Sequence, residues 1–170
     1  MPGRHQPLRG CGNGTVTNTV TDLIWLKDAS CLGLLDWVPA NQAAGSLKDG
    51  DCALTDHSSA GDWRLPSGDE WIATIARGVA LDCGSGIAPS LTDDAGTACY
   101  GTGVGSSLLN VLFRSNGGFP TTAYWSRNVD EINLSLARIV FLNGSHLISI
   151  SKIIPGGVRP GAWPVRTGHR

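Results

Sequence analysis

The sequence predicts a compact, loop-rich α+β domain with small antiparallel sheets and two or three short helices. Three observations carry this. First, 23 glycines and 9 prolines among 170 residues demand many turns and exclude long helical bundles and coiled coils. Second, Ser67-Gly-Asp-Glu70 is a helix-opening capping box ahead of an apolar helical face. Third, Asn143-Gly144 joins two β-rich segments, the strongest two-residue hairpin signal. At 41% hydrophobic and 16% charged, the chain has enough apolar material for a real core.

In chain order, residues 1–12 read as a tail or linker remnant and residues 13–168 as one domain. Asn13–Asn18 alternates β-branched and turn-forming residues and, followed by Leu23–Leu26, predicts an opening hairpin. Trp37–Ala44 suits a short helix that tolerates Pro39 in its first turn. Ser67 caps the clearest helix, whose apolar face is Trp71, Ile72, Ile75 and Ala76 and which Gly78 is expected to close. Residues 82–107 are rich in Gly, Ser, Thr and Asp and need a staple. Leu108–Phe113 fits either a short helix or a buried strand. Ala123–Ser126 reads as a strand, Leu134–Leu142 and His146–Ile154 as the best β pair, and Ala162–Arg166 as a last strand that Pro164 confines to an edge or a bulge.

The five cysteines stand at 11, 31, 52, 83 and 99, with no CxxC pair and no histidine at metal-ligand spacing, so no metal site is expected. Separations of 21 and 16 residues fit the bridges Cys31–Cys52 and Cys83–Cys99, leaving Cys11 free or intermolecular; the alternative is five reduced thiols. No apolar run reaches the ~18 residues of a membrane helix. MPGRHQPLRG has charge but no apolar stretch behind it, so an export signal would lie outside this sequence.

Nothing local points to catalysis. Asp56-His57-Ser58 contains the residue types of a triad, but sequence neighbours do not assemble one, and it reads as a loop with an exposed histidine. Asp69-Glu70 and Asp93-Asp94 read as caps or solvated faces. Gly101-Thr-Gly103-Val-Gly105 lacks the spacing of a dinucleotide fingerprint. Neither a cofactor nor enzymatic activity is expected.

Charge is unevenly distributed. Residues 22–131 hold all fourteen acids and only six bases, whereas residues 132–170 carry Arg138, Lys152, Arg159, Arg166 and Arg170 and no acid. A basic segment with turn signals invites a polyanion. Lys152 and Arg159 are the preferred ligand-binding residues, with Arg138 half-packed on its strand and Arg127 and His146 added. Arg166 is expected to be structural, Arg64 to pair with a carboxylate, and Trp63, Trp71, Trp125 and Trp163 to be core residues.

Several motifs stand together. Leu26-Lys-Asp-Ala-Ser-Cys31, Gly50-Asp-Cys-Ala-Leu-Thr-Asp56 and Ser59-Ala-Gly-Asp-Trp-Arg-Leu-Pro66 follow Gly14-Thr-Val-Thr17 and Leu23-Ile-Trp25, and precede Tyr124-Trp-Ser126 and Trp163-Pro-Val-Arg166. In this order, over residues 13–168, the chain resembles the C-terminal domain family of the Legionella collagen-like protein. The resemblance implies a bacterial, secreted or surface-exposed domain with a C-type-lectin-like fold related to the formylglycine-generating-enzyme type. Taken with the basic C-terminal segment, the chain reads as a non-enzymatic, adhesin-like module expected to bind a glycan or sulfated polyanion, or a host or neighbouring-cell surface protein, without nucleic acid or membrane insertion. Alternatives are a subunit or decoration of a surface assembly, self-associating as a homo-oligomer, and a receptor diversified by a retroelement. No cysteine follows Cys99, as the catalytic branch of that fold requires, and the Glu-Pro-Asn, Gln-Pro-Asp and Trp-Asn-Asp motifs of calcium-dependent lectins are absent.

Overall fold

A computed structural model describes residues 8–83, 90–100, 113–114, 120–121, 123–142 and 146–168. The elements are β1 (Leu8–Gly10), β2 (Thr15–Asn18), β3 (Leu23–Leu26), α1 (Trp37–Ser46), α2 (Gly68–Ala80), β4 (Phe113–Arg114), β5 (Pro120–Thr121), β6 (Ala123–Val129), β7 (Leu136–Phe141), β8 (His146–Ser151) and β9 (Val165–Thr167). The architecture is α+β, with two helices and small antiparallel sheets.

One sheet, ordered β1-β2-β3-β9, joins the two ends of the chain, with Trp25 opposite both Val16 and Val165. The opening hairpin forms as expected. The expected tail enters this sheet: Leu8, Arg9 and Gly10 pair with β2, and Leu8 is buried. Three residues are too few to show a period in the sequence, so their strand character comes from the neighbour they pair with. Pro164 lies just before edge strand β9, and its carbonyl accepts from Leu26 N–H at 3.1 Å.

The second sheet, β6-β7-β8, has β7 in the middle with both faces covered. Val140 and Leu142 join the core that contains Trp71 of α2, while Ala137 and Ile139 join Ala40 and Ala44 of α1. The register runs Leu136↔Ser151 to Phe141↔His146, and β6 carries an irregularity between Trp125 and Val129. Both strands are shorter than expected. Ile132–Leu134 stand in a turn in which Asp130 Oδ1 accepts from the N–H groups of Ile132 and Asn133, at 3.0 and 2.8 Å. The Asn143-Gly144 turn lies outside the described residues, as does Leu108–Leu112; Phe113 begins β4, which pairs with β5.

Helix α2 opens on the expected box: Ser67 Oγ accepts from Glu70 N–H at 3.1 Å, and Glu70 Oε2 accepts from Ser67 N–H at 2.7 Å. Trp71 and Ile75 face the core, but Ile72 is half exposed. Gly78 does not close the helix, which continues to Ala80. It is there because the backbone of Ser90 lies against it, and any Cβ at 78 would overlap the Ser90 carbonyl. Gly78 is thus a packing glycine inside a helix, chosen for close approach rather than for backbone freedom.

The core is aromatic. Trp25, Trp63, Trp71, Trp125, Trp163 and Tyr124 are all at most 1% exposed, which bears out the four expected core tryptophans and adds Trp25 and Tyr124. Trp25 and Trp71 lie 4.9 Å apart between ring centroids, Trp25 and Trp163 5.0 Å, and Tyr124 and Trp163 5.3 Å. The disulfides Cys31–Cys52 and Cys83–Cys99 are formed, and Cys11 is a free, exposed thiol.

Two stability measurements test this packing. Trp71→Ala is expected to cost about 3–5 kcal/mol in chemical denaturation, against no change if the ring were a surface platform. Gly78→Ala, although it raises helix propensity, is expected to destabilise by roughly 1–3 kcal/mol because Ser90 must move; a more stable variant would contradict the close approach.

Candidate functional site

Lys152 and Arg159 follow β8 and face the start of α1. Arg159 Nε lies 2.8 Å from Asp36 Oδ1, and the same oxygen accepts from Ile154 N–H at 3.1 Å. Asp36 precedes α1 but does not cap it with its side chain. Its carboxylate is spent on holding the 152–160 loop. Lys152 Nζ donates to the Leu134 carbonyl at 2.6 Å and stands 4.5 Å from the centroid of the Trp37 ring. Backbone contacts complete the clamp: Trp37 N–H donates to the Lys152 carbonyl and Leu35 N–H to that of Pro160, at 3.0 and 3.3 Å. Both cations are half-buried rather than exposed, and each has an internal partner.

The other three expected residues lie elsewhere. Arg138 is half-buried opposite Ser149, as its strand position predicts. Hydrogen bonds from the Ser149 hydroxyl and from the N–H groups of Asn133 and Ile132, together with the Arg138 charge, hold the Asp130 carboxyl below its usual range. Arg127 is exposed, with its N–H donating to Pro66 carbonyl at 2.8 Å. His146 is exposed at the start of β8, ~20 Å along the strand direction from Lys152. The five side chains therefore do not converge on one spot.

Two further ion pairs are structural. Arg64 grips Glu70 with both nitrogens, at 2.6 and 2.7 Å, as expected of an arginine beside a capped helix. Arg166 lies 3.1 Å from Asp56 and 5.5 Å from the Trp63 ring centroid, which bears out its structural role. Asp56 also accepts from the Ser58 hydroxyl at 2.7 Å, and His57 is exposed, so this tripeptide is a turn and not a triad. Among the described residues, no three His, Cys, Asp or Glu side chains gather as a metal cage, and no helix is long and apolar enough to cross a membrane.

The structure brings apolar side chains together where the sequence reading placed cations. Of the large hydrophobic residues left exposed, Val38, Ile132, Leu134, Ile148, Ile153 and Val158 belong to three segments: the start of α1, the β6–β7 turn, and β8 with the loop after it. Lys152 ties these segments together through Trp37 and Leu134. Ile132 is 97% exposed and Leu134 69%. Such an apolar margin is typical of contact surfaces rather than of ion-binding ones. Its sequence signal was present but weak: Ile148, Ile150, Ile153 and Ile154 crowd β8 and the loop after it, more than one buried face needs.

Two hollows of different size lie among the described residues. A cleft of about 60 Å³ between β1, β2 and α2, lined by Leu8, Val20, Thr74 and Leu91, holds little more than water. An open hollow of about 490 Å³ lies over Gly12, Gly14, Lys27, Asp28, Cys52 and Ala53. There Cys52 and Ala53 take left-handed φ values of +50° and +59°, and Gly14 is required because a Cβ would stand 2.5 Å from the Ala53 carbonyl oxygen. No family model, curated protein or solved structure matches this chain.

Glu70 gives the entry of α2 an acid dependence. Burial raises its carboxyl, but the Arg64 hydrogen bonds, the Ser67 N–H and the charges of Arg64 and Arg127 outweigh burial and hold it below its ordinary 4.5. A lowered folded value means that the charge stabilises above about pH 4.5 and that this contribution fades as pH falls through the folded value. Glu70→Gln should therefore lower the melting temperature at pH 7, with the gap to wild type closing in acid. A gap of constant size from pH 7 to pH 3 would show that the charge is irrelevant.

Proposed function

We propose that this domain is a non-catalytic recognition module of a secreted or surface-displayed bacterial protein, working as a subunit or decoration of an assembly by contact with protein. The observation that carries the reading is the exchange at the β8 side: Lys152 and Arg159 turn inward to Trp37, Leu134 and Asp36, while Ile132, Leu134, Ile148 and Ile153 turn outward. A polyanion site needs free, converging cations; a protein contact needs exposed apolar surface. Two disulfides support an oxidising, extracellular location. A C-type-lectin-like arrangement is the finer reading of the α+β fold, supported by the pairing of opening strand β3 with closing strand β9.

A glycan or sulfated polyanion remains the second reading, favoured by one observation: Arg127 is exposed and Arg138 half-exposed near the junction of β6 and β7. Heparin-type chromatography separates the two. The wild type is expected to elute at or below about 0.15 M salt, where screening already acts within ~8 Å. A Lys152→Ala, Arg159→Ala double variant is expected to elute with it but to melt earlier. Retention well above physiological salt, abolished by Arg127→Ala with Arg138→Ala or by the first pair, would replace the assembly reading with the polyanion one.

A further inference from the structure

Sheet edges invite pairing with other chains unless they are shortened, charged or covered. Most edges here are protected. β1 and β9 are three residues long, each with an arginine at its centre, Arg9 and Arg166. The outer edge of β6 is covered by Gly161, whose N–H donates to Ala123 carbonyl and whose carbonyl accepts from Trp125 N–H, at 2.9 and 3.0 Å. β8 differs. His146-Leu-Ile-Ser-Ile-Ser151 is six residues long, contains no acidic, lysine, arginine, proline or glycine residue, pairs with β7 without a bulge, and has no strand beyond it among the described residues.

The hydrogen-bond phase of that edge can be read. Lys152 N–H donates to the Ser135 carbonyl at 3.1 Å, in continuation of the Leu136↔Ser151 register. Independently, Asp130 N–H donates to Leu136 carbonyl, which turns Leu136 toward β6 and Ala137, opposite Ile150, toward β8. Alternation in an antiparallel ladder then directs the backbone N–H and C=O of Leu147, Ser149 and Ser151 outward. The side chains are also informative. Leu147 and Ile150 pack against the two cores, and Ser149 Oγ donates to Asp130 Oδ2 at 2.6 Å. Ile148 belongs to neither core and is 41% exposed, so the interior does not require it.

We propose that β8 pairs with β8 of a second copy of this chain, antiparallel about a twofold axis at Ser149. This deepens the assembly reading and rests on it. The outward groups fix the register: Ser149 faces Ser149 of the second copy, and Leu147 faces Ser151, giving six inter-chain backbone hydrogen bonds in the hydrogen-bonded positions. The same register sets Ile148 against Ile150 of the other copy, twice, on the α1 side of the sheet. The three-stranded sheet becomes six-stranded, and Ile148, which stands opposite Ile139 in its own sheet, gains an apolar neighbour on its open side. The strand is self-complementary because it carries no acid or strong base to be placed opposite itself.

One strand pair covers less than the standard ~1,600 Å² interface, so association is expected with a Kd on the order of 10–100 µM. Sedimentation velocity of the whole chain across that range, with amide exchange at Leu147, Ser149 and Ser151, provides the test. The wild type should dimerise, and protection at those three amides should rise with concentration. Ile148→Lys, at an exposed side chain, and Ser149→Pro, which removes an outward N–H without touching the β7 ladder, should each weaken association at least tenfold while leaving the circular dichroism spectrum unchanged. A chain that is monomeric at about 1 mM overturns the proposal. So does a dimer that persists unweakened in either folded variant, an outcome that would leave self-assembly intact and place it elsewhere. The heparin experiment decides the underlying assembly reading separately.

Discussion

The packing of Trp25, Trp71, Trp163 and Tyr124 is the constraint on which the rest of the structure depends. These four rings come from β3, α2, the approach to β9, and β6, so the cluster is where both ends of the chain and its middle meet. Tilted and edge-on contacts suit the ring quadrupoles and add specificity to the area buried. The indole N–H groups then act as staples. Trp163 donates to Leu26 carbonyl at 2.7 Å and Trp71 to Trp125 carbonyl at 3.2 Å. Trp125 in turn donates to Leu35 carbonyl at 2.7 Å, and Trp37 to Ser126 carbonyl at 2.9 Å. A buried donor needs an acceptor in a fixed place, so these four indoles each fix the position of a second segment. The Nε1 atoms of Trp25 and Trp63, by contrast, are buried with no hydrogen-bond partner among the described residues, and those rings act through packing. Phenylalanine or leucine would fill the volume without setting that register, which accounts for a chain that prefers tryptophan to the other aromatics.

Charge has a complementary role. The separation of an acid-rich middle from an acid-free end is a feature of the sequence only, because the fold brings the two together. Arg159 meets Asp36, Arg166 meets Asp56, and the charge of Arg138 acts on Asp130. A basic run in a nearly neutral protein has two destinations, an outside anion or the protein's own carboxylates, and here the carboxylates lie 123 residues away for Arg159 and 110 for Arg166. The Arg159–Asp36 pair is partly exposed and modest in energy, whereas the Asp56 side chain is buried beneath Arg166. The effect of both pairs is geometric: they locate the 152–160 loop and the closing strand against the helix and loop of the first half.

What was legible in the sequence is what carries its own signal of residue type or spacing. The capping box at Ser67 and Glu70, the opening hairpin, the two bridges and the strand around Trp125 each carry their own signal. Arg64 could be assigned a carboxylate because its partner is six residues on. The misses share one cause, a deciding partner that leaves no mark in the local sequence. Leu8–Gly10 are a strand because β2 accepts them, and Gly78 is a glycine because Ser90 passes beneath it. Lys152 is occupied because Trp37 lies under it. Position in the sequence made Lys152 and Arg159 look free, although Asp36 was the counterweight of Arg159 and the Trp37 ring and the Leu134 carbonyl that of Lys152.

The two helices show the same division in their stability. α2 carries its own start signals and holds its shape through Ser67, Glu70 and Arg64, all within the helix or its entry. α1 has no side-chain cap, no acid in its first turn, a proline at its third position and a glycine near its end, and it buries only Ala40 and Ala44. A ten-residue helix of this kind is marginal alone. It persists because the Cys31–Cys52 bridge encloses the whole of it, while Trp37 is anchored from the second sheet and the Asp36 carboxylate from the 152–160 loop. The clamp around Lys152 therefore has two dependent sides: the loop is held by the helix, and the helix is held by the loop and the bridge. The apolar margin beside β8 stands on that mutual support, so its shape is set by tertiary contacts even though every residue that forms it lies in an exposed turn, helix start or strand edge.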